Sequence, residues 1–371
     1  MKVSVDRKAL LKVVRATSPF VPKFAKEAHR GGVRLRGHGV SLEVASASNA
    51  VAVASLVPAE ITGDGSFSVC VPVAMLSKLI TARSKDDVEL EATGETLSVA
   101  GGRSRVEIAG RASDGFPDPQ HIGESPACTI PAADLARMID LTAFAVSRNN
   151  NGQYNIGCLY LRSNGKALDV VATDGRRMAL ATLHDIDCEA LAAGAMLPMP
   201  MVKAIRGMCA ATRGGHARIA LRDKLVIADT ATQTVSGNVL EGIYPNYKPV
   251  LPLKCDGFAT MNRMELLSAL RQVNCVADEL ARRANFTIRD GLCAIEVEKT
   301  FRGAATASVS ASVTGAPVQF ILNLDMMIDA LRVMRSKVVR LEYQDKNRPI
   351  VLTDADEDSG PITYKYVLMP L

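Results

Sequence analysis

The sequence predicts an α+β protein of three tandem, similar domains, each a pair of helices packed on antiparallel strands. Three observations carry that expectation. Two sets of amphipathic segments each recur three times, strand-like runs bounded by turn residues fill the gaps between them, and the recurrence has a period near 125 residues. Chance amphipathicity is the competing account, because helices of this kind are common. Agreement of the spacings tells against it.

The first set is Val5-Asp-Arg-Lys-Ala-Leu-Leu-Lys-Val-Val14, Pro131-Ala-Ala-Asp-Leu-Ala-Arg-Met-Ile139 and Asn262-Arg-Met-Glu-Leu-Leu-Ser-Ala-Leu270. Apolar residues fall at helical spacing, as at Leu10, Leu11 and Val14 or Leu266, Leu267 and Leu270, so each segment has one face to bury. Each follows a short extended run. The second set is Val71-Pro-Val-Ala-Met-Leu-Ser-Lys-Leu-Ile80, Leu197-Pro-Met-Pro-Met-Val-Lys-Ala-Ile205 and Leu322-Asn-Leu-Asp-Met-Met-Ile-Asp-Ala-Leu331, with starts 126 and 125 residues apart.

Alternating regions follow each first-set helix at 33–57, 156–183 and 286–313, turned at Gly37-His-Gly39, Asn164-Gly165 and Asp290-Gly291. Others follow each second-set helix at 88–108, 217–239 and 338–367, turned at Gly94-Glu95, Arg222-Asp223 and Asp345-Lys-Asn347. The order helix, strands, helix, strands is thus written three times. Pro- and Gly-bearing linkers at 117–126 and 249–257 set domain expectations of 1–122, 127–251 and 255–371. The period is too long for a solenoid unit and fits tandem domains, with helices covering sheets in α+β layering.

Composition narrows the function classes. Hydrophobic residues make up 48% and charged residues 22%, an ordinary globular balance. Aromatics are 4% and Trp is absent, which argues against stacking platforms for single-stranded nucleic acid. A net charge of +5 permits a polyanionic partner without demanding one. None of the eight cysteines sits at C-x-x-C spacing, so buried, reduced thiols of a cytosolic protein are expected. The opening residues lack the apolar core of a signal peptide. The apolar stretch 190–202 is too short for a bilayer span and is broken by Pro198 and Pro200. The expected location is the cytoplasm, with no membrane partner.

The basic residues recur on the helices. The first set carries Lys8, Lys12, Arg15, Arg137, Arg263 and Arg271; the second carries Lys78, Arg83, Lys85, Lys203, Arg206, Arg213, Arg332, Arg335 and Lys337. Acids such as Glu89, Glu91, Glu296, Glu298, Asp354 and Asp356 lie in the strand regions. Six helices facing one way make a cationic surface that suits phosphates without reading bases. For any single helix a solvated face is the simpler account, and Asp6, Asp140, Glu265 and Asp329 weaken the charge argument. Recurrence is what favours DNA.

Catalytic patterns do not assemble. There is no G-x-x-x-x-G-K-[ST], G-x-S-x-G or H-E-x-x-H, and the five histidines are scattered. Asp174 beside Arg176 and Arg177 has a simpler reading, since Asp174-Gly175 between apolar strands is a tight turn. The expectation is no catalytic residue, no metal and no cofactor.

Five segments in order resemble the bacterial DNA polymerase III β subunit family, the sliding clamps. They are Met1-Lys-Val-Ser-Val-Asp-Arg-Lys-Ala-Leu-Leu-Lys12; Gly102-Arg-Ser-Arg105 with Phe116-Pro117; Ala172-Thr-Asp-Gly-Arg-Arg-Met178; Tyr244-Pro-Asn-Tyr-Lys-Pro-Val-Leu-Pro252; and Tyr366-Val-Leu-Met-Pro-Leu371. The resemblance implies a DNA clamp fold, two helices and two antiparallel sheets per domain, closing as a head-to-tail homodimeric ring around double-stranded DNA. It implies a processivity factor in DNA replication that tethers the replicative polymerase, is opened by a clamp loader, and is associated with the nucleoid. It also implies a partner-peptide cleft at Thr173, Gly175, Arg176, Arg177, Met178, Pro245, Val250, Val367, Met369, Pro370 and Leu371. DNA contacts are implied at Lys23, Lys26, Lys78, Arg148, Asn149, Lys203 and Arg206. The dimer seam is implied at Arg103, Arg105, Val106 and Ile108 against Val276, Glu296 and Glu298.

The chain departs from the family pattern in places. Arg176 stands where the family has His, Gln153-Tyr-Asn-Ile-Gly157 alters a Tyr-Leu-Asn-Gly order and puts Asn155 in question, residues 25–30 lack a Pro-Ile-Leu run, and the tail closes on Leu371. These departures bear on peptide preference and leave an accessory clamp open. Two further alternatives stay open: a DNA-modifying or nucleotide-handling enzyme on the same repeat, which needs a metal or nucleophile cluster, and a scaffold that binds clamp partners without encircling DNA.

Overall fold

Among the described residues six α-helices form where the periodicity places them: α1 (Arg7–Thr17), α2 (Val73–Ala82), α3 (Ala132–Thr142), α4 (Met199–Ala211), α5 (Arg263–Asn274) and α6 (Leu324–Val333). They belong to a computed structural model that describes residues 1–22, 31–63, 65–84, 86–149, 152–252, 254–289, 291–355 and 360–371. Local chemistry starts the helices. Asp6 accepts from Ala9 N at 2.7 Å, Asn262 from Met264 N and Glu265 N, and Asn323 from Met326 N. Such caps are worth ~1 kcal/mol each. Pro72 and Pro198 precede α2 and α4, and Pro200 sits in the first turn of α4, where no N–H is needed.

The first third of the chain holds β1 (Lys2–Asp6), β2 (Val33–His38), β3 (Ser41–Ala47), β4 (Ala52–Thr62), β5 (Ser68–Val71), β6 (Asp87–Thr93), β7 (Thr96–Gly101) and β8 (Ser104–Ala109). The middle third holds β9 (Cys128–Pro131), β10 (Cys158–Ser163), β11 (Ala167–Thr173), β12 (Arg177–His184), β13 (Ala195–Pro198), β14 (His216–Arg222), β15 (Leu225–Asp229) and β16 (Gln233–Asn238). The last third holds β17 (Gly257–Asn262), β18 (Arg283–Arg289), β19 (Leu292–Thr300), β20 (Gly303–Thr314), β21 (Val318–Asn323), β22 (Val338–Tyr343), β23 (Ile350–Asp354) and β24 (Ile362–Leu368).

Each third therefore repeats one order: a strand, a helix, four strands, a helix, three strands. One backbone joint repeats with it. The first residue of the first helix donates to the carbonyl just before the strand that follows the second helix. The pairs are Arg7 N to Asp86 O (2.6 Å), Ala132 N to Gly215 O (3.0 Å) and Arg263 N to Lys337 O (2.9 Å). Recurrence of the same joint on unlike residues marks a repeated supersecondary unit rather than chance amphipathicity.

Contacts gather the chain into two compact units, Met1–Ala136 with Pro198–Val239, and Arg137–Leu197 with Leu240–Leu371. In the first, an antiparallel sheet runs β8-β7-β6-β1-β4-β16-β15-β14-β9, with β3 on β4 and β2 between β3 and β5. In the second, the order is β13-β10-β11-β12-β24-β23-β22-β17-β20-β19-β18-β21. The middle third contributes to both units, so contact division cuts across the expected segment 127–251.

The helices bury the residues their periodicity singles out. Leu10 and Val14 of α1 and Leu76 and Ile80 of α2 enter one core with Val3, Leu35, Leu90 and Ile108. Leu266 and Leu270 of α5, with Met327 and Leu331 of α6, are likewise buried. Each such side chain contributes about 2 kcal/mol relative to exposure. The first linker is docked rather than loose: Arg34 lies 4.6 Å from the Phe116 ring centroid and pairs with Asp118, and Ile122 is buried against Ala220 and Ile227. Among the described residues no cysteine forms a disulfide, but burial holds for six of the eight; Cys255 is half-buried and Cys275 exposed, a correction to the expected buried set. Among the described residues no helix is long and apolar enough to cross a membrane.

Candidate peptide-binding cleft

The antiparallel pairing of β12 with β24 sets Arg177 opposite Leu368 and Met178 opposite Val367. Residues almost two hundred positions apart thus meet on one surface. Beneath them lies a buried cluster of Val171, Met178, Leu180, Tyr247, Val351 and Val367, with Tyr160, Tyr244 and Leu251 packed against it. Tyr160 and Tyr244 stack at 4.4 Å between centroids. Tyr247 donates its hydroxyl to Asp169 at 2.7 Å, and Thr182 donates to the same carboxylate. Burial, then Asp169, hold the Tyr247 phenol above its ordinary pKa; burial does the same for Tyr244.

A cleft of about 420 Å³ opens over this floor. Nine residues expected from the sequence line it: Thr173, Gly175, Arg176, Arg177, Met178, Pro245, Val250, Val367 and Met369. Pro370 and Leu371 are not among the lining residues. Leu371 N donates instead to Ile321 O at 3.0 Å, which docks the tail against β21, and the Leu371 side chain is exposed. Asn149, expected at DNA, lines the cleft, as do Gln153, Tyr154, Ile156, Asn246 and Tyr247. Apart from Asn149, these lie within the family-like segments Gln153 to Gly157 and Tyr244 to Pro252, which is the signal in the sequence that points to them. Asn155 is absent from the lining; its side chain donates to Glu241 O at 3.0 Å.

The turn after β11 fixes one wall. Asp174 Oδ1 accepts from Arg176 N and Arg177 N at 3.0 and 3.1 Å, and Gly175 adopts φ 88°, a conformation open to glycine at no steric cost. The Asp-Gly turn expectation holds. Arg177 is held on several sides. Nε donates to Asp174 Oδ2 and Nη1 to Asp329 Oδ2, both at 2.9 Å, while Nη2 donates to Phe144 O at 3.2 Å. A mostly apolar slot with fixed polar walls and two methionines suits an extended peptide.

The other expected sites are placed as follows. Lys23 and Lys26 lie outside the described residues, as do Lys85, Asp290 and Asp356. Lys78 on α2, Lys203 and Arg206 on α4, and Arg148 are exposed, as are Lys8, Lys12, Arg15, Arg213, Arg271, Arg332, Arg335 and Lys337. Three helix-associated arginines depart from the solvated-face expectation. Arg137 donates to Val333 O, Arg263 to Leu331 O and Ser336 O, and Arg83 to Val99 O and Gly101 O. The first two satisfy carbonyls around the end of α6, where orphan acceptors and the helix dipole favour a cation.

At the expected seam, β8 is an edge strand. Val106 is 41% exposed there, and Arg103 and Arg105 are exposed, Arg105 pairing with Glu91 at 3.0 Å. Ile108 is corrected: it shares a face of the strand with Val106 yet is only 1% exposed, and it belongs to the core with Leu97 and Val99. Val276 is half-buried, and Glu296 and Glu298 project from β19 into a groove of about 580 Å³ that Phe301 and Ile321 also line. Phe301 is 84% exposed. Among the described residues no group of three His, Cys, Asp or Glu side chains is placed to hold a metal ion.

Comparison with known proteins agrees with this architecture. The profile of the DNA polymerase III beta subunit central domain matches residues 129–246, and that of its C-terminal domain matches 248–371. The chain is 25% identical to the beta sliding clamp of Pseudomonas aeruginosa, with all of both chains covered. It is 23% identical to that of Chlamydia muridarum, covering all of this chain and 99% of the other. The crystal structure of the DNA polymerase III subunit beta from Pseudomonas aeruginosa superposes over all of both chains with a TM-score of 0.90 at 24% identity. The subunit from Thermotoga maritima gives 0.88 at 20% identity, covering all of this chain and 99% of that one. These likenesses identify the α+β clamp fold, and the two profiles together span well over half the sequence: the chain belongs to the DNA polymerase III beta subunit family of sliding clamps.

Proposed function

We propose that the chain is a DNA polymerase processivity factor: a homodimeric sliding clamp that encircles duplex DNA without reading its sequence. It tethers a replicative polymerase and other partners through the cleft between β12 and β24. The cleft is the observation that carries the reading. Its apolar floor, locked Arg177 and open slot offer a peptide anchorage and no reacting constellation. Tethering raises the polymerase's effective concentration at the primer end, so processivity comes from topology rather than from tight DNA binding. The role is non-catalytic, and ring opening belongs to an ATP-using clamp loader.

Exposed cations on α1, α2, α4 and α6 support a phosphate-facing surface whose attraction is long-ranged and salt-sensitive. The exposed Val106 on the β8 edge and the Phe301-bearing groove support a seam between two copies, since an unpaired strand edge seeks a partner. Three domains, at 1–122, 127–251 and 255–371, follow the repeated element order.

The test is product length on a singly primed circular template, with the host's replicative polymerase and clamp loader. The chain should lengthen the products of single binding events, and Val250→Asp, which places a charge in the slot, should abolish the gain. Equal lengths with and without the chain would refute the reading.

A further inference from the structure

The cleft carries an uncompensated positive charge at its rim. Among the described residues lining it are two arginines and no carboxylate. Arg177 is neutralised by Asp174 and Asp329. Arg176 is exposed, its backbone is fixed beside the slot by the bond from Met369 N to Arg176 O at 3.0 Å, and among the described residues no carboxylate pairs with its guanidinium. The other polar side chains among the described lining residues, Asn149, Gln153 and Asn246 included, are neutral.

The backbone of the same turn is already committed. Gly175 N donates to Thr173 Oγ1 at 3.1 Å, and Arg176 N and Arg177 N donate to Asp174 Oδ1. Chain-terminal carboxylates are captured by backbone nests of free N–H groups, and this turn has none to offer. What remains to recognise an anion is one guanidinium on a long stem at an open rim, a geometry that pairs with a side-chain carboxylate of an extended peptide.

We propose that the cleft selects partner peptides that set an Asp or Glu side chain against Arg176 while apolar neighbours fill the slot between Met178, Val250 and Met369. The inference rests on the reading of the cleft as a peptide site and adds the chemistry of its occupant. Arg176 is a specificity determinant; the apolar slot supplies the bulk of the affinity.

The experiment is selection from a library of N-acetylated, C-amidated peptides, randomised at consecutive positions, on the full chain, on Arg176→Gln and on Val250→Asp. The unaltered chain and Arg176→Gln should both enrich apolar residues, and only the unaltered chain should enrich Asp or Glu beside them. Replacing the selected acid by its amide should weaken binding about fivefold at low salt, the upper end for an exposed ion pair. The loss should shrink with added salt and vanish against Arg176→Gln. Apolar enrichment without acid preference, or acid preference that survives in Arg176→Gln, overturns the charge assignment and leaves the cleft reading standing. So does preference for a free C-terminus over an internal acid. Absence of any apolar enrichment that Val250→Asp removes overturns both.

Discussion

Arg177 donates from Nη1 to Asp329 Oδ2 at 2.9 Å, joining β12 to α6 across 152 residues of sequence. The same guanidinium lies 5.4 Å from the Phe144 ring centroid and holds Asp174 on its other side. It fixes the cleft wall by satisfying groups from three elements at once.

Truncation therefore costs more than one contact. Arg177→Ala strands Asp174 and Asp329 and opens the Phe144 carbonyl. Breaking a buried pair costs roughly 3–5 kcal/mol, and the partial exposure of Asp329 lowers the expected loss to about 2 kcal/mol. Urea unfolding measures it. Arg177→Lys keeps the charge without the fork and should recover only part of the loss.

Val106 and Ile108 lie on one strand with opposite fates. Val106→Asp should shift sedimentation to the monomer, while the protomer itself, compared at concentrations where both chains are monomeric, stays within about 0.5 kcal/mol of the unaltered one, as exposed substitutions do. Ile108→Asp buries an unpaired carboxylate in the core and should cost upwards of about 4 kcal/mol. A dimeric Val106→Asp would remove β8 from the seam.

Met369 lines the slot from the tail side and Val250 from the opposite loop, both exposed enough to be replaced without a core penalty. Met369→Ala should weaken a polymerase-tail peptide by about 1–2 kcal/mol, the range of interface residues that matter, with unfolding unchanged. Calorimetric titration reads the first and urea unfolding the second.

Tyr247 sets an alkaline limit. Its folded pKa stands above the ordinary 10.0 through burial and Asp169, and burial raises Tyr244 and Tyr366 as well. The unfolded chain loses these protons first as pH rises. Stability from these groups is thus fully present below pH 10 and is lost as pH climbs from there through the folded values. Tyr247→Phe removes one titrating group, so its decline should be shallower. At neutral pH it leaves Asp169 short of a donor and should cost roughly 1–3 kcal/mol. Urea unfolding on both sides of pH 10 compares the two chains.

Much of the fold was legible because helix periodicity is local. The sequence spacing of Leu10 and Val14, or Leu266 and Leu270, reports a buried face whatever surrounds it. The short strands β5, β9 and β13 carry four residues each, too few for alternation to stand out. Alternation in β8 sets Val106 and Ile108 on one face, but not how far along that face the core reaches, so the burial of Ile108 beside an exposed Val106 was not legible. The cleft was legible only through family likeness, since it arises where β12 pairs with β24, a register that no local pattern encodes. Arg83, Arg137 and Arg263 looked like solvated cations because sequence does not reveal which carbonyls lie within reach.

The claim at the centre is encirclement of duplex DNA, and topology tests it most directly. The chain is loaded onto nicked circular duplex DNA with a clamp loader and ATP, and the circle is then cut by a restriction enzyme. Retention on the intact circle and rapid loss after cutting is the predicted result. Equal retention on circle and linear DNA, or equal loss from both, would contradict it.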